Sequence, residues 1–201
     1  MVLPVPPRID TERLTLRCYE PTDVDAVHAV IVAERERLGV FMPWARSEPI
    51  TREQRADLLH TFIREFEAHE NFTFGIFDRD SGEYLGGTGM HTRIGPDALE
   101  IGYWIRADRE GQGLVREAVA AQARVALEQL GAAWVEVRCD PDNSRSRRVP
   151  ESLGFTLTDT RVDACGADQH REFVEIWQLT RGDLAGSPVA STARPTTIES
   201  L

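Results

Sequence analysis

The 201-residue sequence predicts one mixed α/β domain, with a mixed sheet carrying helices on its faces. Three observations carry that reading. The chain is 41% hydrophobic and 28% charged, the balance of a globular protein rather than a disordered, collagen-like or disulfide-scaffold chain. Apolar positions switch between strand-like alternation and helical spacing along residues 8–183. Their order, β-α-α-β-β-β-α-β-α-β-β, places a three-strand meander before the longest helix. Residues 184–201, rich in Ser, Thr, Pro and Ala, are expected to be a disordered tail.

Each element has its own signal. Residues 13–18 alternate with Leu14 and Leu16 on one face, and Thr22 or Asp23 can cap a helix running to about Leu38. A loop with Phe41, Pro43 and Trp44 leads to a second helix, 51–68, opened by Thr51 as N-cap candidate. Two strands, 72–77 and 84–91, are joined by the turn Asp80-Ser81-Gly82, and Gly95-Pro96-Asp97 turns the chain into a third, 99–106. The helix 114–130 stops at Gly131, a suitable residue past a helix end. A strand at 134–139, a short helix at 144–153 and strands at 155–162 and 172–179 complete the series. Pro150 sits inside the short helix, where it removes one backbone hydrogen bond and should kink the helix near Ser146.

Composition removes several classes of function. The 23 basic residues are all Arg and none is Lys, so a Walker-type phosphate loop, a Schiff-base enzyme and a pyridoxal site are excluded. A net charge of −10, with one short cluster at Arg145, Arg147 and Arg148, argues against nucleic acid as a partner. Cys18, Cys139 and Cys165 form no CxxC pair, which disfavours a disulfide framework or a zinc site and suggests a reducing, cytoplasmic compartment. No run approaches the roughly 18 apolar residues of a membrane span. The five histidines, His28, His60, His69, His91 and His170, have no ligand spacing. Cys165, Asp168 and His170 share a stretch read as a flexible loop rather than a metal site, and no metal is expected.

Two stretches carry chemistry. Ile101-Gly102-Tyr103-Trp104-Ile105 leads through Glu110-Gly111-Gln112-Gly113-Leu114-Val115 into the long helix. Glycines there let backbone N–H groups approach an anion at a helix amino end, a phosphate-binding arrangement that also occurs merely as a tight connection. A dinucleotide fingerprint fails, because its third glycine would fall on Arg116 and the loop follows a meander. The second stretch, 139–155, ends a strand, caps a helix with Asn143 or Ser144, and closes at Gly154-Phe155.

Together these stretches resemble the acyl-CoA-binding half of the GCN5-related N-acetyltransferase (GNAT) superfamily, and most closely its ribosomal-protein N-acetyltransferase branch. The matching parts are Thr11-Glu12-Arg13-Leu14 with Leu16-Arg17, the Pro43-Trp44 loop, Glu100 to Ile105, Gly111-x-Gly113, and Asn143 through Phe155. In the superfamily's loop pattern the key places fall on Glu110, Gly113 and Val115, and only Gly113 keeps it. Glu110 stands where a pyrophosphate would be repelled unless its carboxylate turns to solvent.

The resemblance implies a GNAT fold, a mostly antiparallel sheet of six to seven strands splayed at its centre, with about four helices. It implies acetyl-CoA as donor and direct attack by a primary amine, either a protein N-terminal α-amine or a small molecule. The pantetheine arm would lie between the parted strands, the pyrophosphate on Gly111, Gln112, Gly113, Leu114 and Val115, with Asn143 on the arm. A backbone N–H near Tyr103, Trp104 or Ile105 would polarise the thioester. Glu100 is the candidate base and Ser146 the candidate donor to the departing thiolate, and Ser146 is also expected to contact the cofactor. Trp44, Phe41, Glu100 and His91 are candidate acceptor-site residues. A non-catalytic acyl-CoA sensor and an acyltransferase with another acyl chain are the alternatives; a homodimer is left open.

Overall fold

A computed structural model gives the structure of the chain, described over residues 5–163, 172–192 and 197–199. In chain order the elements are β1 (Arg8–Asp10), β2 (Leu14–Cys18), α1 (Val24–Phe41), α2 (Arg52–Glu67), β3 (Phe72–Asp78), β4 (Tyr84–His91) and β5 (Ala98–Ile105). They continue with α3 (Leu114–Arg124), β6 (Trp134–Cys139), α4 (Ser144–Ser152), β7 (Thr156–Asp163), β8 (Glu172–Thr180), α5 (Pro188–Ser191) and β9 (Thr197–Glu199).

The strands form one sheet in the order β7-β8-β6-β5-β4-β3-β2-β1-β9, nine strands against the expected six to seven. Every pairing is antiparallel except that of β5 with β6. The order follows from the connections: hairpins keep β3, β4 and β5 adjacent, while the crossover through α3 returns the chain parallel to β5.

Helices lie on both faces. Thr88 of β4 hydrogen-bonds Gln122 of α3 through its hydroxyl, so the alternate residues Gly87 and Gly89 face the opposite side, where Tyr19 packs with Val27 and Ile31 of α1. The larger apolar cluster joins Leu14, Leu16, Ile76, Leu99, Ile101 and Val135 to the buried face of α3, Ala118 to Ala123. α3 continues past Arg124 into a π-helical turn, Val125–Gln129, before the stop at Gly131. α2 opens as expected with a capping box: the Thr51 hydroxyl accepts from the Gln54 N–H while Gln54 Oε1 accepts from the Thr51 N–H. No helix among the described residues is long and apolar enough to cross a membrane.

Within the tail expected to be disordered, residues 184–192 and 197–199 are described and folded. Leu184 and, within α5, Val189 are buried, and the buried Arg124 donates to the carbonyls of Ala190 and Thr192. Thr197–Glu199 then pairs with Arg8–Asp10 at the sheet edge. Two apolar side chains in the right places anchor a segment whose average composition is polar. Cys165, Asp168 and His170 lie outside the described residues.

Removing the Leu184 side chain tests this packing. Leu184→Ala should lower unfolding stability by about 2–5 kcal/mol in urea titration, whereas a loose tail residue would change it by less than about 0.5 kcal/mol.

Candidate active site

The β5–β6 ladder stops early. Its rows are Ala98↔Trp134, Leu99↔Val135 and Glu100↔Glu136, and nothing pairs across from Ile101 to Ile105 or from Val137 to Cys139. On their other sides both strands stay paired, β5 to β4 as far as Ile105 and β6 to β8 as far as Cys139. The two central strands thus part in the middle of an otherwise continuous sheet and leave facing backbone edges.

Two cavities meet this gap, one of about 910 Å³ and one of about 700 Å³. Phe41, Met42, Tyr103, Trp104, Asn143 and Ser146 line both. The end of α1, strand β5 and the start of α4 therefore form the partition between the two spaces.

The smaller cavity is built on the glycine loop. Gly111 and Gly113 adopt left-handed φ values of 73° and 75°, which only glycine takes without strain, and they turn the chain so that α3 begins at Leu114. Its first N–H groups lack partners within the helix. The turn is braced from behind: buried Glu117 accepts from the Thr11 hydroxyl at 2.6 Å and the Arg13 N–H at 2.9 Å, and pairs with the Arg13 guanidinium. Burial alone would raise the Glu117 pKa, but the Thr11 and Arg13 hydrogen bonds outweigh it and hold the carboxyl below its usual range.

Glu110 neither turns away nor faces the loop uncompensated. Its two carboxylate oxygens are each 2.6 Å from a guanidinium, Arg37 at the end of α1 and Arg145 at the start of α4. Arg37 also donates to the Ile105 carbonyl at the end of the free strand edge. Arg109, Arg116 and Arg148 add positive charge to the same cavity lining. Of the candidate cofactor contacts, Gly111, Gly113, Leu114, Val115 and Ile105 line this cavity, while the Gln112 amide donates to the Asp108 carbonyl.

The larger cavity lies over a sheet face stripped of side chains. Gly75 pairs with Gly87, and Gly89 with Gly102, in adjacent rows of β3, β4 and β5. A Cβ added at Gly87 would come within 2.7 Å of the Trp104 indole nitrogen, and one at Gly89 within 2.7 Å of the His91 ring. Glycine is required there by close approach, at a cost to strand stability. Phe41 and Trp44 line this cavity, the Trp44 ring 6.2 Å from that of Trp104, and so do Glu100 and His91.

At the splay itself, Tyr103 reaches across from β5 to α4. Its hydroxyl donates to the Ser146 carbonyl at 2.9 Å, while the Ser146 hydroxyl lies 3.2 Å from the phenol oxygen. Pro150 explains this. An α-helix would pair the Ser146 carbonyl with the N–H of residue 150, which proline lacks, so the Tyr103 phenol takes that acceptor. The helix runs through Pro150 to Ser152, with Asn143 Oδ1 capping it by accepting from the Ser146 N–H at 3.1 Å. Burial pushes the Tyr103 phenol well up and keeps it a donor.

Glu100, the candidate base, is a paired carboxylate. Although buried, which would raise its pKa, it accepts two hydrogen bonds from Arg93 and has Arg138 at 3.4 Å, and these hold its carboxyl below the usual range. Arg138 also pairs with Glu136 at 2.6 Å, so the last row of the β5–β6 ladder closes on an ionic cluster. A carboxylate so engaged binds a proton poorly. Beside it, His91 Nδ1 lies 2.7 Å from Asn71 Oδ1, and Asn71 donates its amide to Glu65 at 3.3 Å.

Sequence reading missed the arginines around Glu100 and Glu110, which come from remote segments, and it missed Asn71. The glycine face did leave a signal: Gly86-Gly87-Thr88-Gly89 in a run with strand neighbours marks a close backbone approach. No cluster of three or more metal-ligating side chains occurs among the described residues.

A mixed sheet parted between two central strands, over a glycine turn at a helix amino end, defines an acyltransferase of the acyl-thioester-binding class. The family model described as "Acetyltransferase (GNAT) domain" matches residues 13–156, and the chain belongs to that family. Among curated proteins it is 27% identical over 146 residues, covering 72% of this chain and 78% of the relative, to "Putative ribosomal N-acetyltransferase YdaF" of Bacillus subtilis (strain 168). Among solved structures, the RimL ribosomal L7/L12 alpha-N-protein acetyltransferase in complex with coenzyme A superposes with a TM-score of 0.77 at 19% identity, covering 86% of this chain and 97% of that one. The microcin C7 self-immunity acetyltransferase MccE, in complex with acetyl-CoA and AMP, also gives 0.77, at 15% identity and 84% and 93% coverage.

The proline–tyrosine exchange is testable by itself. Tyr103→Phe should cost about 1–3 kcal/mol in urea unfolding by stranding the Ser146 carbonyl. Adding Pro150→Ala, which restores the backbone donor, should recover part of that loss; strictly additive effects would refute the exchange.

Proposed function

We propose that the chain transfers the acetyl group of acetyl-CoA to a primary amine, with protein N-terminal α-amines as the acceptor class. The observation that carries this reading is the parting of β5 and β6 beyond Glu100↔Glu136. A pantetheine arm is an extended amide chain, and it can pair with an unpaired strand edge as an added strand would. The diphosphate would sit on the N–H groups of Gly111 to Val115, with Arg145 and Arg37 supplying the charge that Glu110 withholds.

With the thioester in the gap, a β5 backbone N–H between Tyr103 and Ile105 would stabilise the oxyanion of the tetrahedral adduct. Ser146 would give a proton to the departing thiolate, whose conjugate thiol has a pKa of about 8.5. Tyr103 serves as its positioning residue, with its own proton committed to the Ser146 carbonyl. The acceptor would approach from the glycine face, past the packed rings of Trp44 and Trp104. An α-amine, with a pKa of about 8, needs less help to lose its proton than a lysine at about 10.4. The names of YdaF and RimL favour a ribosomal protein terminus, and a narrow amine approach over bare backbone suits an extended peptide end.

Calorimetry and thiol release test the reading together. The chain should bind acetyl-CoA and release free thiol with peptides beginning in Ser or Ala; binding without thiol release across peptides and polyamines would mark a sensor. Ser146→Ala should lower kcat by about 10² with acetyl-CoA affinity unchanged. Glu110→Gln, by freeing Arg37 and Arg145 for the diphosphate, should tighten acetyl-CoA binding by about tenfold, and most at low salt; weaker binding would show that Glu110 is needed to place the arginines.

A further inference from the structure

We propose that His91 is the catalytic base that takes the proton from the acceptor amine, with Asn71 as its positioning residue. This rests on the acetyl-transfer reading above. Asn71 donates its amide to the Glu65 carboxylate, which fixes Oδ1 as the atom turned to His91. Oδ1 can only accept, so His91 carries its proton on Nδ1 and presents a lone pair on Nε2.

That nitrogen points over the stripped face of the sheet. A Cβ at Gly89 would lie 2.8 Å from Nε2 and one at Gly102 3.5 Å from it, and His91 lines the 910 Å³ cavity. The glycines thus make room for the ring against the sheet, and an amine, or one water in front of it, reaches the imidazole from the cavity that the ring lines. The charged groups around the ring are Glu65 from α2, Arg93 after β4, Glu100 from β5 and Arg138 from β6 beyond it. Burial is the largest influence and the Arg93 charge adds to it; together they outweigh the Glu100 and Glu65 carboxylates and hold the imidazole below its ordinary 6.5. His91 is therefore neutral and able to accept at neutral pH. The other buried groups on the cavity are unsuited: Glu100 is engaged by arginines, while burial pushes the Tyr19 phenol and the Cys139 thiol up to about 12.

The step balances. The ammonium of the acceptor gives one proton to Nε2, which passes it to solvent, and the freed lone pair forms the C–N bond at the thioester carbonyl. The adduct nitrogen loses a second proton to the regenerated imidazole as the C–S bond breaks and the sulfur leaves with the electron pair. The sulfur takes up one proton through Ser146, so amine cation and thioester give amide, thiol and one released proton.

The test uses the full chain with acetyl-CoA and a peptide beginning in Ser. Wild-type kcat should fall on the acid side with a midpoint below 6.5, matching the His91 titration followed by NMR on the same protein. His91→Gln should lose about a hundredfold or more in kcat and lose that limb, while keeping acetyl-CoA affinity. Asn71→Asp, by placing a negative charge on Nδ1–H, should move both the NMR midpoint and the kinetic limb upward together. A His91→Gln enzyme within a few-fold of wild type and with the same limb overturns the assignment, as does a kinetic limb that stays put when Asn71→Asp moves the imidazole titration. A wild-type chain inert toward every peptide and amine overturns the acetyl-transfer reading and this one with it, a result distinct from an active enzyme indifferent to His91.

Discussion

The row Glu100↔Glu136 is the last that β5 and β6 share, and the rest of the molecule is arranged around that stop. A gap in a sheet is expensive, because each unpaired backbone group gives up a hydrogen bond it could have made. Here the flanking strands keep their outer partners, so the sheet stays whole while two inner edges remain open. The ionic cluster of Glu100, Glu136, Arg93 and Arg138 closes the paired end, and Tyr103 spans the open end to α4. The gap is held at both ends rather than left slack.

Three carboxylates near the site are held by guanidinium groups, and this changes what they can do. Glu117 braces the glycine turn, Glu110 joins α1 to α4, and Glu100 joins the β4–β5 connection to β6. Arginine suits this work because its planar fork can bridge two partners, as Arg37 does between Glu110 and the Ile105 carbonyl. The base proposed above, His91, is held by the Asn71 amide instead, and burial lowers its pKa.

What was legible in the sequence was local. The meander, the glycine turn and the Asn143 cap announce themselves within a few residues, and the resemblance built on them implied the splay. Where a side chain's meaning depends on remote partners, the sequence is silent: Arg37, which pairs with Glu110, lies 73 residues away, and Arg138, which approaches Glu100, arrives on another strand. Pro150 read as a kink, but its missing donor is answered by a phenol from β5. β1 and β9, three residues each, are too short to show a period, and they exist because they pair with each other across almost the whole chain.

Because every cation in these clamps is an arginine, the protein contains no side-chain amine at all. A thioester bound in the gap is an acylating agent toward any nearby lysine, but a guanidinium stays protonated and does not compete as a nucleophile. The chain therefore offers no lysine of its own to the acetyl donor, and ε-amine chemistry aimed at a mixture of enzyme and acceptor would mark lysines of the acceptor alone.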